Sequence, residues 1–191
     1  MDTAADEGLK TGHFYGRAVL FLALVWWGIR FSFAPMHGDH AGSSFMHLIN
    51  LPFHEAGHLI FSVFGDFMRV FGGALAQILA PIVCVIAFLR RQDAFAASCS
   101  LWWVGQSFTD VAPYIYDARA GELMLLGGVT GRDEPDFHDW HNILERLDLL
   151  PYDHVIAYLT KAAGVIAILL SLGWACYALI RQYRMTKHRR A

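Results

Sequence analysis

Five long apolar runs, parted by short polar stretches, set the plan of this chain: residues 18–34, 45–64, 72–89, 94–116 and 162–180. A run of roughly 17–25 apolar residues is the length at which a helix crosses the hydrocarbon of a bilayer. Continuous apolarity over such lengths predicts helices rather than strands, which run shorter. A sixth element is amphipathic. In His138–Leu150, reading HDWHNILERLDLL, the apolar Trp140, Ile143, Leu144 and Leu147 recur three and four residues apart. That spacing predicts a short helix lying at the membrane interface. The expected fold is all-α, a polytopic transmembrane helix bundle with about five membrane segments and one short interfacial helix. Short extended pieces are allowed around 64–71 and 122–130.

The prolines refine the pattern. Pro52 predicts a kink or a fresh helix start within the second run. Pro81 falls inside the third run, where membrane helices tolerate it. The fourth run turns polar in its second half, with Gln106, Ser107, Thr109, Asp110, Pro113 and Asp117. This predicts a helix that breaks near Pro113 and lines a cavity. Residues 118–137, with Gly127, Gly128, Gly131 and Pro135, form the longest loop. The chain therefore divides into a polar N-terminal segment (1–17), a single membrane domain (18–180) and a basic C-terminal tail (181–191). Residues 1–17 lack the layout of a cleaved signal peptide, so the first apolar run is expected to stay as an anchor.

Composition agrees with a membrane protein. Charged residues are 17% of the 191 and hydrophobic ones 55%, against about 25% charged in soluble domains. The formal net charge of −2 offers no surface for nucleic acid. Cys84, Cys99 and Cys176 lie in apolar runs without a C-x-x-C pair and read as small packing residues. Basic residues concentrate in the tail (Arg181, Arg184, Lys187, Arg189, Arg190) and at Arg90-Arg91. By the positive-inside rule both regions are cytoplasmic. If all five runs span, the N-terminus lies outside; if the second run is re-entrant, it lies inside.

The second run holds the candidate chemistry, His54-Glu55-Ala56-Gly57-His58. Residues four apart share a helix face, so the two histidines can point at one metal ion. This H-E-x-x-H pattern binds Zn²⁺ through two imidazoles and uses the glutamate, here Glu55, as general base on a zinc-bound water. Ionisable groups inside a membrane segment are costly and mark function. A tetrahedral zinc needs a third protein ligand, with the fourth place left for water. Asp110, Asp117, His138, His141, His47 and Glu122 are the candidates. Gln106 and Asp110 could orient ligands from behind. His37 and His40 read as loop residues. Haem would need ligands on facing helices, which two histidines on one turn do not supply.

With HEAGH, the later stretch Asp110-Val-Ala-Pro113-Tyr-Ile-Tyr-Asp117-Ala118 resembles the site-2-protease class of intramembrane zinc metalloproteases. These carry H-E-x-G-H on one membrane helix and an N-x-x-P…D-G stretch on a later one. Here Asp110 stands at the asparagine position and Ala118 at the glycine. The gap between the first and last residues of that stretch is one residue shorter. The Asp139-Trp140 pair before a short helix also resembles some peptidase-like membrane proteins of this group. The likeness covers roughly 44–118, the metal core. It implies Asp117 as third ligand, Zn²⁺ as cofactor, and hydrolysis of peptide bonds in or near the membrane. The substrate would be a membrane-protein segment. The setting would be the bacterial cytoplasmic (inner) membrane, as a homo-oligomer or part of a larger complex. The competing expectation is a catalytically silent metal-binding subunit or assembly factor.

Overall fold

A computed structural model describes residues 3–38 and 43–188, with side chains over 12–38 and 43–185. His40 and the last residues of the basic tail lie outside these ranges. Six α-helices follow in order: α1 (Thr3–Phe33), α2 (Phe45–Phe61), α3 (Asp66–Arg90), α4 (Ala94–Tyr116), α5 (Asp139–Arg146) and α6 (Asp153–His188). The described residues contain no strand. The 122–130 region makes one isolated bridge, Met124 to Thr130, and 64–71 is largely the start of α3. Three helical stretches are long and apolar enough to cross a membrane: Gly12–Phe33, Asp66–Arg90 and Leu150–Met185.

The two remaining apolar runs differ from these for separate reasons. α4 is the central helix, buried along most of its length, and its middle carries Gln106, Ser107, Thr109 and Asp110. α2 is short. Its 17 residues extend about 25 Å at 1.5 Å per residue, less than the roughly 30 Å of hydrocarbon. It is one uninterrupted helix through Pro52, so no fresh helix starts there. Likewise α4 does not break at Pro113 but runs on to Tyr116. Pro113 lacks the N–H that would bond Thr109 O one turn back, and α4 carries this loss without ending.

Where α2 begins matters for the site. Met46, near its start, packs with Leu24, Trp102 and Ile168 from the middle turns of α1, α4 and α6, and with Phe31 from the last turn of α1. The Trp102 indole N–H donates to Leu24 O at 3.1 Å, fixing that level. Ser44 caps α2 there by accepting from His47 N at 3.0 Å. α1, by contrast, continues until Lys161 Nζ donates to Ala34 O. α2 therefore starts at half the height of the bundle and rises to the end where α3 begins. At the opposite end Arg17 of α1 bonds Asp93 at 2.8 Å, in the α3–α4 turn, and Gln182 of α6 at 3.0 Å. That end gathers the first part of α1, the Arg90-Arg91 turn and the last part of α6.

Glycines let these helices approach closely, as in membrane bundles generally. A Cβ on Gly57 would lie 2.2 Å from Gly72 O, so the glycine of HEAGH is required by the crossing of α2 over α3. α4 and α6 meet in the same way at Gly105 and Gly164, where a Cβ on either would come within 2.7 Å of the other's carbonyl oxygen.

Candidate metal centre

The α2–α3 contact sets the histidines. His54 and His58 stand one turn apart, ring centroids 4.8 Å from each other. Each ring is held from behind through Nδ1. His54 Nδ1–H donates to Gln77 Oε1 at 3.2 Å and His58 Nδ1–H to Arg69 O at 2.8 Å, both on α3. Bonds of this kind fix the tautomer and aim Nε2 at the site. Gln77 in turn donates through Nε2 to Asp110 Oδ2 at 2.9 Å.

Asp110 is the hub of a buried polar network. It also accepts from Asn50 Nδ2 at 3.0 Å and meets His47 Nδ1 at 3.1 Å. Asn50 reaches Gln106 Oε1 at 2.9 Å and accepts from Trp103 Nε1 at 2.8 Å. Asp110 thus stands behind His54, two hydrogen bonds away, and Gln106 stands two further along the network, beyond Asn50.

The carboxylate brought to the histidines is Asp139, the first residue of α5. Its Oδ2 lies 3.0 Å from His54 Nε2 and 3.3 Å from His58 Nε2. Ligand atoms of the three residues all fall within 4.8 Å of one another. Donors about 2.0–2.1 Å from a tetrahedral metal stand about 3.3–3.4 Å apart, close to these spacings. In a neutral ring with its proton on Nδ1, Nε2 presents a lone pair. Two such lone pairs facing a carboxylate are the donor set that a cation unites. Gly73 of α3 faces the same place, since a Cβ there would sit 2.6 Å from Nε2 of both His54 and His58. The residues therefore fit a zinc-type centre in donor chemistry, spacing and free room. Where the rings are instead protonated and donate through Nε2, they outweigh the burial that pushes the Asp139 carboxyl up and hold it below the usual carboxylate range.

Asp117, the ligand implied by the HEAGH resemblance, is not brought to the histidine pair. It forms the C-terminal cap position of α4. Its Oδ1 accepts from Glu122 N at 2.9 Å and its Oδ2 from Leu123 N at 3.0 Å. His138 Nε2 lies 3.3 Å from the same Oδ2. Burial raises the Asp117 carboxyl, and His138 with the two backbone N–H groups more than reverses this, so it is held low. His138 is fully buried and caps α5, accepting from His141 N at 3.2 Å through Nδ1. His141 Nδ1–H donates to Ala118 O at 2.8 Å. Glu122 pairs with Arg132, and Arg119 with Asp153 rather than Asp117. His37 is a loop residue, as its position in the polar stretch implied.

The trio and Glu55 line one cavity of about 320 Å³. Its remaining wall is largely apolar, with Leu123, Met124, Leu125, Leu126 and Phe137 from the 118–137 segment among its residues. Glu55 makes no hydrogen bond among the described residues. No protein-family model matches the chain, and no curated protein or solved structure matches it. The functional reading rests on this geometry.

Asp139 is not among the third-ligand candidates that the sequence offers, although His138 and His141 beside it are. Asp139 lies four residues before Ile143, which is buried. Positions four apart share a helix face, so an acid stood on the packed side of an amphipathic helix. That was the available signal.

Proposed function

We propose that this chain is an integral membrane zinc metalloprotease that hydrolyses peptide bonds in or near the membrane. The observation that carries the reading is the convergence of His54, His58 and Asp139, from helices far apart in sequence, in one cavity with Glu55. Zinc in such a centre supplies Lewis acidity, which acidifies water and polarises a carbonyl.

The chain's own residues divide the remaining work. His54 and His58 present Nε2 because Gln77 and Arg69 O hold Nδ1. Asp139 supplies the anionic ligand, giving the two-histidine, one-carboxylate set of hydrolytic centres. Glu55 takes the proton of the attacking water and returns it to the leaving amide nitrogen. The wall from Leu123 to Leu126 favours apolar side chains beside the scissile bond. A helical peptide bond is shielded from attack, so the substrate is a membrane segment unwound at the point of cleavage.

The test joins elemental analysis of the purified full chain with cleavage of a tethered membrane segment carrying a reporter. Stoichiometric zinc with cleavage supports the protease. Stoichiometric zinc with no cleavage across a broad set of segments points instead to the silent metal-binding subunit. Absence of bound metal overturns both.

Placement in a membrane follows from the helix ends. The basic turn Arg90-Arg91, Arg17, Arg181 and Arg184 all lie at the end joined by Arg17, Asp93 and Gln182. Positive charge marks the cytoplasmic side. We infer that α2 is re-entrant, that both termini face the cytoplasm and that the metal centre opens to the opposite face. Reporter fusions active only in the cytoplasm should work at Met1 and at Ala191 but not within 118–137. A tail and N-terminus reporting opposite sides would contradict this arrangement.

A further inference from the structure

The HEAGH helix provides two of the three metal donors from a rigid helix pair. The third comes from a separate segment, so something must bring it to the same point. The last turn of α4 does this with two side chains. Tyr114 and Asp117, three residues apart, lie on one face of the helix. The Tyr114 hydroxyl accepts the backbone N–H of Asp139 at 2.9 Å. The Tyr114 ring also packs on the His138 ring, centroids 4.4 Å apart. Asp117 grips the neighbouring residue. His138 Nδ1 accepts from His141 N, so its proton is on Nε2 and is donated to Asp117 at 3.3 Å. The same carboxylate holds the N–H groups of Glu122 and Leu123, at the start of the loop that leads to α5. The loop is thus fastened at both ends to one carboxylate.

We propose that Tyr114 and Asp117 are positioning residues for the metal centre. They fix the backbone of His138 and Asp139, and so set how tightly the site holds its metal without touching the metal themselves. The proposal rests on the metal reading of His54, His58 and Asp139. It also gives Asp117 a task different from the ligand role that the motif implies. All three donors around Asp117 are N–H groups, so an amide in its place turns a donor toward a donor.

The experiment uses the purified full chain in detergent, with Asp117→Asn, Tyr114→Phe, Asp139→Asn and Arg132→Ala. The last breaks an exposed pair in the same loop and serves as control. Zinc affinity is measured by competition with a chromophoric chelator. Cobalt spectra report the coordination, and melting of the metal-free protein reports the fold. Outer-shell partners of a metal site change affinity by about 10–100-fold. Asp117→Asn and Tyr114→Phe should weaken zinc by that factor and leave the saturated cobalt spectrum in place, while the metal-free protein, with a buried N–H left unpaired, melts somewhat lower but still cooperatively. Asp139→Asn should change the spectrum, and Arg132→Ala should change nothing.

Unchanged affinity in Asp117→Asn and Tyr114→Phe would overturn the proposal. So would metal-free variants that no longer melt cooperatively, which would mark a structural role only. A spectrum altered by Asp117→Asn as by Asp139→Asn would make Asp117 the ligand. If the parent chain binds no metal, every arm is flat, and it is the underlying metal reading that has failed.

Discussion

Exchange of Gly73 for alanine is expected to abolish zinc binding while the helix bundle still folds. The added Cβ would stand 2.6 Å from Nε2 of both His54 and His58, inside the space where a metal needs bonds of about 2.0–2.1 Å to those atoms. The rings cannot withdraw freely. Moving His54 breaks its bond to Gln77, and moving His58 breaks its bond to Arg69 O. Alanine favours helix over glycine by about 1 kcal/mol, so α3 itself gains from the change. Elemental analysis should fall from stoichiometric zinc to background, with helical circular dichroism retained. Stoichiometric zinc at unchanged affinity in this variant would refute the placement of the centre.

The second large effect is on turnover. Glu55→Gln should lower cleavage of a tethered membrane segment by about 10²–10⁴-fold, the range for loss of a general base, with zinc content unchanged. Glutamine keeps the size of the side chain and removes its basicity. Glu55 has no hydrogen bond among the described residues, so the exchange disturbs no packing partner. Undiminished cleavage would remove Glu55 from the mechanism. Loss of zinc together with cleavage would make it a ligand instead.

How much of this was legible in the sequence depended on how local each signal was. The apolar runs gave the positions of five helices because length and hydropathy are properties of one stretch. The histidine pair was legible because four-residue spacing on a helix guarantees a shared face. Asp110 and Gln106 are expected from the sequence to orient ligands from behind; both are buried and joined by hydrogen bonds, through Gln77 and Asn50, to His54. The third ligand was not local. Asp117 and Asp139 are both acids at the ends of helices, and only the path of residues 118–138 decides which one reaches the histidines. The turn at Asp117 consumes that carboxylate on Glu122 N, Leu123 N and His138. A motif that names a residue cannot show that its lone pairs are already taken. The continuation of α4 through Pro113 was not local either: the carbonyl that a proline leaves unpaired lies one turn back, and whether neighbouring helices accommodate it is a property of the packing.

The half-height start of α2 has a consequence for supply. Its motif end rises to a level where exposed Asp66 pairs with Arg69 and with Arg146, which on the proposed membrane placement would set the centre beside the headgroup layer and not at the bilayer midplane. On the protease reading proposed above, water for hydrolysis would arrive from bulk solvent over a short distance, with no need of a hydrophilic duct across the oily interior. Such an enzyme would have a shallow reach, cutting segments within a turn or two of the membrane surface and leaving bonds at the midplane alone.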